Sequence, residues 1–284
     1  MPILALKIDI DTYTGIKSGL PNILDVLEKK DLPASFFISF GPDRSGLAVF
    51  QLLRPRFFLK MIRTNAAGIY GLKTALYGTL LKPPMIGLSF PKELHRIKQA
   101  GHETACHAWD HRLWQDWLPF MSRRSVAAWL AKMTKAYMDI FGTMPECFGA
   151  PGWRMDKRVL DILRSFNFSY LSCTRAREPF IFEENSLLEI PSNLPCIEEA
   201  GVAGVMKELE SRSNSPMHQV LPVHTEVEGG IYLKEFQKIL DHARLLGYKF
   251  VKVSDIASSM TREDLKVRGL DIGLIPGRAF KCAL

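Results

Sequence analysis

Apolar positions recur along this chain in two rhythms. Residues 3–10 alternate and are rich in aliphatic side chains, which predicts a buried strand with Asp9 and Asp11 at its C-terminal end. Residues 15–30 place Leu20, Ile23, Leu24 and Leu27 at helical spacing, and 34–40 reads as a second strand. Strand, helix and strand in about forty residues make a βαβ unit, which implies parallel strands. The rhythm returns later. Helices are predicted over 91–100, 122–141, 156–166, 204–211, 233–246 and 254–260. Strands are predicted over 103–106, 169–173, 187–191, 219–224 and 250–253. Ser122 and Gly142 suit the two caps of one helix, residues 107–119 read as a Trp-rich loop, and 149–154 as a turn. Repeated βα units predict an α/β fold, either a barrel or a doubly wound sheet. In βα barrels the chemistry sits at the C-terminal ends of the strands. Asp9, Asp11, His107, His111 and His224 all end or follow predicted strands.

Residues 44–92 break the rhythm. They carry Arg44, Arg54, Arg56, Lys60, Arg63, Lys73, Lys82 and Lys92 with no acidic residue, interleaved with aromatic and aliphatic side chains. An apolar, cationic helix of this kind suits a membrane interface beside anionic headgroups. The plainer alternative is an inserted helical pair with a basic outer face. The chain therefore reads as one domain over 1–260 that includes this insertion, with a weakly structured tail over 261–284.

Composition narrows the partners. The chain has 284 residues, 47% hydrophobic, enough for a full core. A net charge of +7 points to an anionic partner without naming it. Five cysteines, an odd number with no Cys-x-x-Cys pair, suit a reducing compartment. The start into a strand at Ile3 predicts no cleaved signal peptide, and no apolar run is long enough to span a bilayer.

The richest stretch is Cys106-His107-Ala108-Trp109-Asp110-His111. Histidines four apart share a face on one helical turn and can grip a single metal ion. Ile8-Asp9-Ile10-Asp11-Thr12 offers the third ligand. Two histidines and one carboxylate with open positions form a catalytic metal arrangement.

From Ile3 to about Ser258 these motifs resemble the NodB-homology polysaccharide deacetylases, a family of distorted (β/α) barrels that use a metal to remove N-acyl groups from sugars. The resemblance implies that Asp9 is the general base, that Asp11, His107 and His111 bind one divalent ion (Zn²⁺, Co²⁺ or Mn²⁺), and that His224, in Leu221-Pro222-Val223-His224, is the general acid. There are departures. Gly149 stands where the family has an arginine beside the base, with Arg154 as a stand-in. Residues 172–175 lack the aspartate that orients the acid, which leaves Glu226 or Glu228 for that task. Trp109, Trp114, Trp117 and Trp153 either stack on sugar or pack.

Several runs resemble one branch of the family more finely. They are 8–12, 60–67, 107–111, Gly152-Trp153-Arg154 and 224–229. That branch deformylates a polyprenyl-phosphate-linked formamido sugar used in lipid A modification. It implies a metal-dependent amidohydrolase, peripheral on the cytoplasmic face of a bacterial inner membrane. Its anionic partners are then a membrane surface and a lipid phosphate, met by Arg54, Arg56, Lys60 and Arg63, and not nucleic acid. Two alternatives stay open: a deacetylase of another N-acyl sugar, of peptidoglycan or chitin type, and a catalytically silent barrel that binds lipid-linked sugar.

Overall fold

The computed structural model describes residues 1–53, 74–278 and 280–284. Arg54, Arg56, Lys60 and Arg63 lie outside the described residues. The chain opens with β1 (Ile3–Ile10), α1 (Leu20–Lys30) and β2 (Ser35–Ser39). After the insertion come α2 (Pro91–Gln99), β3 (Glu103–Ala108), α3 (His111–Trp117), α4 (Arg123–Phe141), β4 (Cys147–Phe148), α5 (Lys157–Leu163) and β5 (Tyr170–Leu171). Next follow β6 (Phe180–Phe182), β7 (Leu188–Glu189), α6 (Ile197–Arg212), β8 (Gln219–His224), α7 (Leu233–Leu245), β9 (Lys249–Val251) and α8 (Val253–Ser259). The tail adds β10 (Val267–Arg268), β11 (Ile272–Gly273) and β12 (Cys282–Ala283).

The main sheet runs β10-β6-β7-β5-β4-β3-β2-β1-β8, with β9 also on β1. Its pairings are parallel except β6 with β7. The period of two in β1 explains its place. Leu4, Leu6, Ile8 and Ile10 join the large core with Ile23 and Leu27 of α1, Leu130 of α4 and Leu240 of α7. Ala5, facing the other way, joins a second cluster with Phe37, Ala105, Cys147, Tyr170, Ile181, Leu188 and Val220. Eight strands supply that one small cluster. A sheet whose strands all meet on one face has curled around it, and the result is a distorted (β/α) barrel.

Local signals hold at α4, where Ser122 Oγ accepts from Ser125 N–H at 3.1 Å and Gly142 closes the helix at φ 69°. Three expectations change. The segment 107–119 is not a loop: β3 extends through Ala108 and α3 begins at His111. The helix expected at 204–211 is preceded by a turn that starts at Ile197, where Glu199 closes a capping box with Cys196, and Gly201, non-helical at φ 70°, kinks the chain between the two. The tail is tied to the body: β10 pairs with β6, and Arg278 forms an ion pair with Glu199 at 2.5 Å.

Candidate metal centre and active site

Lys7, Asp9 and Asp11 stand two apart on β1 and its exit, so all three face the barrel interior. The intervening isoleucine is what places both carboxylates on one side. In the parallel register Asp9 sits opposite His224 of β8, at the C-terminal ends of neighbouring strands. The sheet thus joins residues from opposite ends of the sequence.

Asp11, His107 and His111 converge. His107 Nε2 lies 3.2 Å from Asp11 Oδ1, and His111 Nε2 lies 3.1 Å from Asp11 Oδ2. The two histidines do not share a helical turn, as their spacing first implied. His107 is the next-to-last residue of β3, and His111 opens α3. Asp110 makes the corner between them. Its fully buried carboxylate caps α3 at Leu113 N–H, 2.9 Å, and pairs with Arg44. The rings still stack, with centroids 5.2 Å apart. His107 Nδ1 donates to the Gly149 carbonyl at 2.8 Å, which turns Nε2 toward Asp11. Asp43 holds the next loop by accepting from Tyr13 N–H at 2.8 Å. Burial pushes the Asp11 carboxyl up, yet the neighbouring His111 and His107 hold it well below its usual range. Asp11 Oδ1 and His107 Nε2 are buried without an aligned hydrogen bond among the described residues. Two imidazoles and a carboxylate aimed at one point, with orphaned ligand atoms, fit a divalent cation.

Asp9 stands beside this cluster, with Oδ2 3.9 Å from His107 Nε2. Its partner is Lys7, whose Nζ lies 2.6 Å from one carboxylate oxygen and 2.8 Å from the other. Both side chains are buried, and the ammonium also lies 4.4 Å from the centre of the Phe37 ring. Arg154 is elsewhere: its guanidinium faces the tail, 5.8 Å from the Phe280 ring and 3.4 Å from the Lys281 carbonyl. The reason is steric. A Cβ on Gly149 would fall 2.6 Å from Phe37 and 3.2 Å from Lys7 Cε. The space that a side chain at 149 would enter is filled by the Phe37 ring, with Lys7 next to it. A lysine at an inward position of an apolar strand was the visible signal.

His224 also has a partner that sequence reasoning missed. Its Nδ1 lies 2.9 Å from Glu198 Oε2, in the first turn of α6. Neither expected glutamate does this. Glu228 Oε2 accepts from the His224 backbone N–H at 2.7 Å, and Glu226 Oε2 lies 3.3 Å from Thr225 Oγ1. Burial alone would lower the His224 pKa, but the Glu198 carboxylate holds it well above the ordinary value. Burial lifts Glu228 to about 8 and Glu226 well above its usual range. Nothing local marks Glu198, since its helix reaches β8 only through the fold.

Trp153 is buried at φ 54°, its ring between the guanidiniums of Arg175 at 4.6 Å and Arg278 at 4.2 Å. Glu199 pairs with both arginines. Trp114 is buried as well and donates to the Arg154 carbonyl at 2.9 Å. Both therefore pack, whereas Trp117 is exposed and lies edge-on to Phe120.

Residues 3–171 match the family described as polysaccharide deacetylase. Two curated proteins named probable 4-deoxy-4-formamido-L-arabinose-phosphoundecaprenol deformylase ArnD are similar along most of the chain. That of Wigglesworthia glossinidia brevipalpis is 32% identical, over 93% of this chain and 96% of its own. That of Shewanella sediminis is 31% identical, over 89% of this chain and 85% of its own. Among solved structures, one from Mycobacterium smegmatis, named as a polysaccharide deacetylase, superposes with a TM-score of 0.67 at 16% identity, covering 96% of this chain and 94% of that one. The Xyl-CE4 domain of a xylanase from a Trinervitermes trinervoides hindgut metagenome gives 0.54 at 15% identity, over 94% and 97%. At such identities these two speak for the fold alone.

Proposed function

This chain belongs to the polysaccharide deacetylase family, and on that premise we propose that it hydrolyses the N-formyl group of undecaprenyl-phosphate 4-deoxy-4-formamido-L-arabinose. The products are formate and the lipid-linked 4-amino sugar used to modify lipid A. The observation that carries the reading is the placement of Asp9 and His224 side by side next to the Asp11, His107 and His111 cluster. The names of the curated relatives supply the substrate.

An amide resists hydrolysis because its carbonyl is a weak electrophile and its amine a poor leaving group. A divalent ion held by Asp11, His107 and His111 would supply Lewis acidity, which makes a carbonyl more electrophilic and a water more acidic. Asp9, fixed by Lys7 on both oxygens, takes a proton from the attacking water as it adds to the formyl carbon. His224 is kept charged by Glu198 and gives its proton to the sugar nitrogen as the C–N bond breaks.

The protein works peripherally at the cytoplasmic face of the inner membrane. No helix among the described residues is long and apolar enough to cross a bilayer. Trp117 and Phe120, 55% and 78% exposed, follow His111 closely and suit a lipid interface. The test is formate release from the lipid-linked formamido sugar by protein stripped of metal and then reloaded. Formate that appears only on reloading supports the reading. Acetate released from N-acetyl sugars in its place overturns the substrate.

A further inference from the structure

We infer that a second divalent cation binds at Cys196, Glu198 and His224, and that in doing so it silences the acid histidine. The consequence for catalysis rests on the proposed deformylase reading; the binding itself does not.

A ligand atom from each of Cys196, Glu198 and His224 lies within 4.8 Å of the other two. The set is separate from Asp11, His107 and His111. Glu198 Oε2 and His224 Nδ1 are 2.9 Å apart, yet Nδ1 is buried without an aligned hydrogen bond among the described residues. The same pattern occurs at the first cluster, between Asp11 Oδ1 and His107 Nε2. Glu198 and His224 nonetheless form a pair, and the proton between them is what a cation would replace. Ligands on a tetrahedral zinc lie roughly 3.3–3.6 Å apart, given bonds of about 2.0–2.3 Å. Closing the cluster on an ion therefore needs side-chain shifts of no more than about 1.5 Å.

Cys196 is the N-cap of α6, its sulfur faces the N3 backbone N–H, and the side chain is buried. Burial, with the neighbouring Glu199 and Glu198 carboxylates, pushes its thiol well above the ordinary range, so a bound cation has to displace the proton itself. Thiolate, imidazole and carboxylate together select borderline-soft ions such as Zn²⁺ or Co²⁺. On binding, the thiol proton passes to solvent and no redox change occurs. A cation there occupies the nitrogen that Glu198 otherwise orients, and His224 can no longer be charged by it. The enzyme would then be active with one ion and inhibited by a second.

The experiment is a Co²⁺ titration of metal-stripped full-length protein without substrate, followed by absorbance and by proton release. The first equivalent should bring a cobalt spectrum without a thiolate band. The second should bring a near-ultraviolet thiolate-to-cobalt charge-transfer band and added proton release. Cys196→Ser should lose the band and keep the first equivalent, while Cys282→Ser keeps both. X-ray absorption of the doubly loaded wild type gives a check that needs no variant, since a sulfur neighbour must be present. A missing band in the wild type, a band that survives in Cys196→Ser, or the absence of sulfur each overturns the site. In the activity arm, excess Zn²⁺ should depress formate release severalfold in wild type but not in Cys196→Ser. If no preparation releases formate while the thiolate band is present, the deformylase reading fails and the second site stands.

Discussion

Replacing Lys7 by Met should expose how the base is held. Lys7 and Asp9 are 1% and 4% exposed, and Nζ reaches both carboxylate oxygens at 2.6 and 2.8 Å. At that separation the gross attraction is about 6 kcal/mol for an effective dielectric constant near 20. Most of it is spent on desolvating the two ions, so the net worth of the pair is small. Removing one partner is different, because a carboxylate then stays buried with its charge uncompensated. That costs about 3–5 kcal/mol, a large share of an ordinary domain's stability of about 5–15 kcal/mol. Asp9→Asn alone should cost a similar amount, since it strands the ammonium. The double variant Lys7→Met/Asp9→Asn leaves neither charge and should recover most of the loss. The assay is urea unfolding at neutral pH across the four-member cycle. With singles of about 3–5 kcal/mol each and a double variant near wild type, the coupling between the two substitutions should be at least about 5 kcal/mol. Additive penalties, or a Lys7→Met penalty below about 1 kcal/mol, would refute the account of Lys7 as the counter-ion of Asp9. Turnover should fall sharply in Lys7→Met and recover in part in Lys7→Arg.

Three further outcomes follow from the geometry. Glu198→Gln removes the charge that holds the His224 pKa high. The acid form should therefore be lost at lower pH, and the alkaline limb of the rate profile should move acidward; an unmoved limb would assign His224 a different partner. The stability that this pair contributes is complete below the free histidine value and is lost as pH rises through the raised folded one. Glu189 accepts from Cys173 N–H and Thr174 N–H at 2.8 and 2.7 Å, and burial lifts it to about 7 from 4.5. Its contribution is present below pH 4.5 and lost as pH rises to about 7, roughly 3 kcal/mol in all. Glu189→Gln should thus gain stability relative to wild type across that window, and a flat difference in chemical denaturation would contradict it. His107→Ala should lose metal on dialysis, as elemental analysis would show, whereas Asp9→Asn should retain the ion and lose turnover; retention by both would remove His107 from the ligand set.

The sequence by itself determined the strands at whose ends Asp9, Asp11, His107 and His224 stand. Strand β8 ends on His224 as its pattern required: it is an apolar run of six residues, buried throughout, and a short run of that kind is legible from adjacent residues. The two aspartates could be read as facing one side because strand residues two apart share a face. Partners were another matter. Lys7 was visible as a lysine inside an apolar strand, but only the packing of Phe37 against Gly149 shows that it takes the arginine's place. Glu198 belongs to a different helix from the turn that holds Glu226 and Glu228, and α6 meets His224 through the curvature of the barrel. The corner that swings His111 into place depends on Asp110 and on Arg44 from the insertion. Local periodicity records which face a side chain takes. It carries no record of what arrives opposite that face from elsewhere in the chain. Tertiary structure alone decided that Lys7 pairs with Asp9, that Glu198 faces His224, and that Cys196 stands beside them.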